Sequence, residues 1–108
     1  MFSCPCCGYL TLPSRNEYEI CPICWWEDDG QDNADADKVF GGPNYDLSLT
    51  QARANFIIFG IYDPNRTDLV PESKSNFEKS RIFDFIRDGS YLIEKNTNWV
   101  SSNFFIKR

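Results

Sequence analysis

Residues 4–9, Cys-Pro-Cys-Cys-Gly-Tyr, and residues 18–26, Tyr-Glu-Ile-Cys-Pro-Ile-Cys-Trp-Trp, decide how this chain is read. Between them they hold all five cysteines and two copies of a C-P-x-C loop. Cys4 and Cys7 have two residues between them, as do Cys21 and Cys24, and thirteen residues separate the two pairs. Two such loops facing each other place four thiolates at the corners of a tetrahedron, the arrangement Zn²⁺ takes in a closed structural site. Proline after the first cysteine fixes φ and starts a tight turn. Gly8 can adopt the left-handed conformation that turns backbone N–H groups toward the sulfurs, a contact that favours thiolate over thiol. Cys4, Cys7, Cys21 and Cys24 are therefore read as ligands of one structural zinc ion. A single iron is the other option, because the loops of rubredoxin share the C-P-x-C pattern. Cys6 cannot join Cys4 in this geometry without displacing Cys7, so it is read as a small packing residue beside the loop.

Working outward, Tyr9–Leu12 reads as a strand, 13–16 as a turn and Tyr18–Ile20 as the returning strand, which together make a zinc-ribbon hairpin. Trp25 and Trp26 follow the second loop where glycine is expected. The plain reading packs one on the ribbon and the other on the helical part; the sharper one makes Trp26 an exposed aromatic anchor. Residues 27–46 read as an irregular acidic loop, with six carboxylates between Glu27 and Asp37: Glu27, Asp28, Asp29, Asp32, Asp35 and Asp37. The spacing gives no calcium loop, and nothing suggests a catalytic carboxylate pair. Two readings stay open for it: a solvated, self-repelling loop, or an acidic recognition surface for a basic protein.

Ser48 to Gln51 is a capping box, and Gly60 a stop, for a helix over Leu49–Phe59. Leu49, Ala52, Phe56 and Phe59 form its apolar stripe, with Ile58 opposite, so its last turn is expected to be covered on two sides. A polar connector follows over Tyr62–Lys74. A second capping box, Ser75 to Glu78, predicts a helix running to Asp88. Tyr91–Lys95 and Asn103–Ile106 read as strands, with a turn at Asn96–Asn98. The expected fold is thus α+β, one domain over residues 1–108: a ribbon module over 1–26, the acidic loop over 27–46, and a helical and strand part over 47–108.

The chain has 108 residues, a net charge of −5 and no histidine. The missing histidine removes Cys2His2 fingers and Ser-His or Cys-His nucleophilic pairs. Residues 1–63 carry ten acidic side chains against Arg15, Lys38 and Arg53, whereas residues 64–108 carry six against eight basic ones. With the metal module on the acidic half, direct nucleic-acid binding is not expected. No apolar run approaches membrane-spanning length, and Met1-Phe2-Ser3-Cys4 has neither a basic start nor an apolar stretch. A cytoplasmic location is expected, where metal ligation is favoured over disulfides.

The motifs Cys4-Pro-Cys-Cys-Gly-Tyr9, Tyr18 through Asp29, Gly42-Pro-Asn44, Ser48 through Phe56 and Phe59-Gly60 resemble the bacterial CPCC family of small cysteine-rich proteins. The resemblance spans roughly residues 4–60 and leaves the tail from Tyr62 uncovered. It implies a metal-binding module with Cys4, Cys7, Cys21 and Cys24 as ligands, Cys6 as a fifth cysteine without a role, and no established enzymatic activity. The functional expectation is protein binding, foremost as an immunity protein or antitoxin for a basic nuclease toxin. In that reading Trp26 and the six carboxylates contact the partner. The alternatives are a ribbon adaptor on the transcription or translation machinery, and an enzyme using metal-bound water or Cys6. An enzyme is disfavoured because four thiolates leave zinc no open position.

Overall fold

The computed structural model describes residues 1–95 and the backbone of residues 105–107. The expected turn at Asn96–Asn98 and the first part of the Asn103–Ile106 strand lie outside the described residues.

Each cysteine loop closes its own small hairpin. In the first, β1 (Phe2–Ser3) pairs antiparallel with β2 (Leu10–Leu12), and Cys4–Gly8 form the bend between them. In the second, Ile20 bridges Glu27, Tyr18 N–H donates to Asp28 O, and Asp28 N–H donates to Glu19 O. The expected ribbon, with Tyr9–Leu12 paired against Tyr18–Ile20, is therefore corrected: each segment pairs across its own cysteine loop. The physical reason is local. A tight C-P-x-C bend reverses the chain, so the residues flanking it are already in register, and no long loop has to close. Tyr18 itself sits at φ 62°, which breaks any strand there.

One α-helix, α1 (Leu49–Phe59), starts at the expected capping box. The Ser48 hydroxyl accepts from the Gln51 amide at 3.1 Å, and the Gln51 side chain accepts from the Ser48 amide at 2.9 Å. Gly60 ends it at φ 80°, a left-handed cap. Leu49, Ala52 and Phe56 face the cysteine module, while Ala54 and Ile58 pack on Leu92 and Phe85 behind it. The helix is covered on two sides, although Phe59 is exposed rather than part of the stripe.

The predicted second helix does not form. Lys74–Asn76 is one 3-10 turn, and residues 78–81 are extended and pair with the first cysteine hairpin through the Tyr9–Lys79 bridge. β3 (Phe85–Asp88) then pairs antiparallel with β4 (Tyr91–Glu94), and β5 (Phe105–Lys107) adds to β4. The reason lies in Asp88-Gly89-Ser90. Gly89 takes φ 62° as the first of two loop residues, the geometry that matches the twist of a hairpin. Aromatic and β-branched residues at Ile82, Phe83, Phe85 and Ile86 suit the extended form as well as a helical face.

Residues 27–46 are more ordered than an irregular loop. Two 3-10 turns, Asn33–Asp35 and Gly42–Asn44, are held by interior bonds. The buried Gln31 side chain donates to the carbonyls of Asp35 and Lys38, and the Ala36 carbonyl accepts from the Thr50 amide at the start of α1.

Candidate metal centre

Both cysteine loops have the same backbone wiring. Cys4 N–H donates to Tyr9 O and Gly8 N–H to Cys4 O, each at 2.9 Å. In the second loop Cys21 N–H donates to Trp26 O at 3.1 Å and Trp25 N–H to Cys21 O at 2.9 Å. Gly8 and Trp25 occupy matching places, at φ 83° and 68°. The amides at these positions thus satisfy carbonyls of their own turn. A hydrogen bond to a sulfur comes instead from the Thr11 hydroxyl, which donates to Cys21 Sγ at 3.2 Å.

Facing each other, the loops bring Cys4, Cys7, Cys21 and Cys24 together, with all four sulfurs within 4.8 Å of one another. Cys4 Sγ lies 3.6 Å from Cys24 Sγ, and Cys7 Sγ lies 3.7 Å from Cys21 Sγ. A disulfide would need about 2.0 Å. A tetrahedron with zinc–sulfur bonds of about 2.3 Å has sulfur–sulfur edges of about 3.8 Å. The donor set therefore fits one tetrahedral thiophilic ion, and the four cysteines could hold one metal ion. All four are 0–1% exposed.

The electrostatics agree with that fit. Burial, then the neighbouring thiols, push Cys4 and Cys24 up, and the hydrogen bond with Cys21 does most to push Cys7 up. Cys21 moves the other way, because the neighbouring thiols, Cys24 first, and the Thr11 hydroxyl favour its charged form. A divalent cation held by four thiolates displaces protons from these buried thiols, which couples metal binding to proton release.

The surroundings seal the centre. The Arg53 guanidinium, 0% exposed, donates through Nε to the Pro5 carbonyl at 2.8 Å in the first loop. Its other nitrogens reach Glu94 Oε2 at 2.8 Å and Asn33 Oδ1 at 2.9 Å, and its face covers the Phe83 ring at 3.9 Å. Glu94 also accepts from the Thr50 hydroxyl at 2.8 Å. The second loop is covered by the connector, where Tyr62 N–H donates to Cys24 O and Glu72 N–H to Pro22 O, both at 2.9 Å. Cys6 is buried beside the ligand set and is not one of the four clustered sulfurs.

The residues assigned to a partner surface lie elsewhere than their exposure in that reading requires. Trp26 is 0% exposed and packs edge-to-face on Tyr62, with ring centroids 6.2 Å apart. Asp28 is also 0% exposed and accepts from Arg15 Nε and the Asn16 amide, each at 2.8 Å, and from the Gly30 amide at 3.2 Å. Both are corrected from surface contacts to interior supports. Trp26 is apolar bulk beside the metal loop, and Asp28 is a carboxylate whose burial is offset by a cation and two amides.

The remaining carboxylates are half-buried. Asp29 accepts from the Gln31 amide and from Asn44 Nδ2, and burial raises its pKa. Burial would raise Asp32 too, but the Arg81 guanidinium beside it, with the Asn33 amide and Arg15, brings its pKa down to about 2. Asp35 accepts from the Asp32 amide in a capping box. Glu27 exchanges main-chain bonds with the Asn44 side chain. Asp37 has one buried carboxylate oxygen with no partner among the described residues.

Arg53, Glu94, Thr11 and Asn44 escaped the sequence reading. A signal existed for Arg53 alone: it stands at the fourth position after Leu49 and three before Phe56, inside the apolar stripe of α1.

A family model for cysteine-rich CPCC proteins matches residues 2–77. The chain belongs to this cysteine-rich CPCC family. No curated protein and no solved structure matches it. Among the described residues, no helix is long and apolar enough to cross a membrane.

Proposed function

We propose that this member of the CPCC family is a non-catalytic cytoplasmic protein that holds one structural zinc ion through Cys4, Cys7, Cys21 and Cys24 and acts by binding another protein. The observation that carries the reading is closure. All four sulfurs are buried at tetrahedral spacing, and both loops are roofed by their own chain. Four thiolates complete the coordination of zinc and leave no place for a water or substrate, so the ion's contribution is to folding. Iron in the same four sulfurs is the second reading, since the donor set suits both metals.

Metal analysis of protein purified without chelator tests this directly. One equivalent of zinc and a colourless solution are expected. Visible thiolate-to-iron absorption would support iron, and a folded, metal-free preparation would overturn the reading.

The protein-binding part rests on the family's small size and on the exposed apolar side chains Tyr18, Ile20, Val39, Phe40 and Tyr45 around the second loop and the acidic segment. An antitoxin role based on free carboxylates imitating a phosphate backbone loses its main support, because Asp28 is interior and Asp32 is already gripped by Arg15 and Arg81. The partner therefore meets an apolar face, in a toxin or in the transcription or translation machinery. Pull-down with wild-type protein and with a Tyr18→Ser, Phe40→Ser, Tyr45→Ser variant measures this. Equal capture of the same proteins by both would refute it.

A further inference from the structure

A cavity of about 310 Å³ opens beside the first cysteine loop, within the size range of small-molecule sites. Its walls are aromatic and aliphatic, chiefly Tyr9, Phe56, Ile57 and Phe83, and Lys74 and Lys79 stand at its edge. The two cations are placed by structure. Lys74 opens the 3-10 turn capped by Ser73, and Lys79 is fixed by its bridge to Tyr9. Lys74 Nζ sits 5.4 Å from the centre of the Phe56 ring, and Lys79 Nζ sits 5.0 Å from that of Tyr9. Those two rings pack edge-to-face on each other, with centroids 6.4 Å apart. Two ammonium groups thus flank one aromatic pair. Among the described residues neither makes an ion pair, although the chain carries an excess of acids.

We infer that this cavity binds a small aromatic carboxylate, its ring against Tyr9, Phe56 and Phe83 and its carboxylate between Lys74 and Lys79. The apolar walls supply affinity for the body of the ligand, and the two lysines select a negative head group. The inference stands on the cavity and does not depend on which metal the centre holds. A competing task for the lysines exists. Four thiolates on one divalent ion leave the centre doubly negative, and Cys7 lines the same cavity, so the lysines would then serve only to offset that charge.

The test uses the full chain with its metal bound. Phenylacetate, 2-phenylethanol and phenethylamine are titrated while the ring resonances of Tyr9, Phe56 and Phe83 are followed by NMR. Phenylacetate is expected to bind with a Kd of about 1 mM or tighter, at least tenfold better than the neutral and cationic analogues, and more weakly as salt rises. The Lys74→Gln, Lys79→Gln double variant should lose at least tenfold in that affinity and keep its metal, while Lys95→Gln, at an exposed site, changes nothing. Equal binding of the alcohol, or phenylacetate binding that survives the double substitution, would overturn the inference. So would the absence of shifts, with weaker metal retention in the double variant identifying charge compensation as the lysines' task.

Discussion

The two cysteine loops are near copies in sequence and backbone, yet their last positions differ as much as two residues can. Gly8 and Trp25 both sit at positive φ, both donate to the carbonyl of the first cysteine in their loop, and both follow a ligand. What differs is the cover. Residues 78–81 lie directly on the first loop, with Ser80 and Arg81 amides donating to Gly8 O, and a Cβ at Gly8 would collide with the Arg81 carbonyl. The second loop is covered by the connector at Pro22 and Cys24, which leaves room for an indole. Sulfur geometry asks only for the left-handed turn. The choice of side chain at that turn is set by what packs over it, and the strain of holding Trp25 there is sustained by the rest of the fold.

Experiments that break both loops together should have the largest effect. Chelation, or Cys7→Ser and Cys24→Ser alike, removes an ion whose apparent contribution in finger-sized domains is ~10–16 kcal/mol. Loss of near-UV circular dichroism is expected in each case, with five reactive thiols after chelation and four in either serine variant. If Cys24→Ser were harmless while Cys7→Ser was not, the two loops would not share one ion.

The next experiment separates the loops. Arg53 braces only the first one, through Pro5, and its charge is answered by Glu94. Glu94→Gln removes the nearer counter-charge of the buried guanidinium, leaving Asp32 at 3.6 Å, and should cost about 3 kcal/mol in urea unfolding. Hydrogen exchange should rise around Pro5 and β4, and less around Cys21–Cys24. Uniform loosening would mean that the brace serves both loops.

Gly8→Ala should destabilise by about 2 kcal/mol or more, since it adds backbone strain to a collision that the rigid Arg81 main chain cannot relieve. Trp25→Gly should change stability by no more than about 1 kcal/mol, because relief of the left-handed strain offsets lost indole packing. Similar effects at both sites would erase the distinction drawn between the two covers. The smallest change is expected for Cys6→Ser, which should retain a full equivalent of metal and lose only about 1 kcal/mol from burying a hydroxyl. Loss of metal in that variant would put Cys6 among the ligands.

Much of the centre was legible from residue order because its information is local. C-P-x-C spacing, the Ser48 to Gln51 box and the Gly60 stop each act within one turn of chain, so the four clustered cysteines and α1 could be read directly. The pairing partners of those segments were harder. The Tyr9–Leu12 strand could close with Tyr18–Ile20 or with Phe2–Ser3, and only competition between the two closures decides. The second capping box was a sound local signal overruled by a stronger one, because Gly89 turns the chain where a helix would have ended and β4 supplies the partner that makes an extended form pay.

The acidic segment shows where reading by residue type stops. Six carboxylates in eleven residues look like a surface, but whether an Asp faces water depends on cations that arrive from distant positions. Arg15, Arg53 and Arg81 come from the link between the two hairpins, the helix and the extended segment, and all three meet at Asp32, while Arg15 also holds Asp28. From its order of residues alone, this protein determined a four-sulfur cluster that could hold a metal ion, one capped helix and membership of the CPCC family. Tertiary structure decided which strands pair, which acids are interior and what surrounds the centre, because burial and charge pairing depend on groups far apart along the chain.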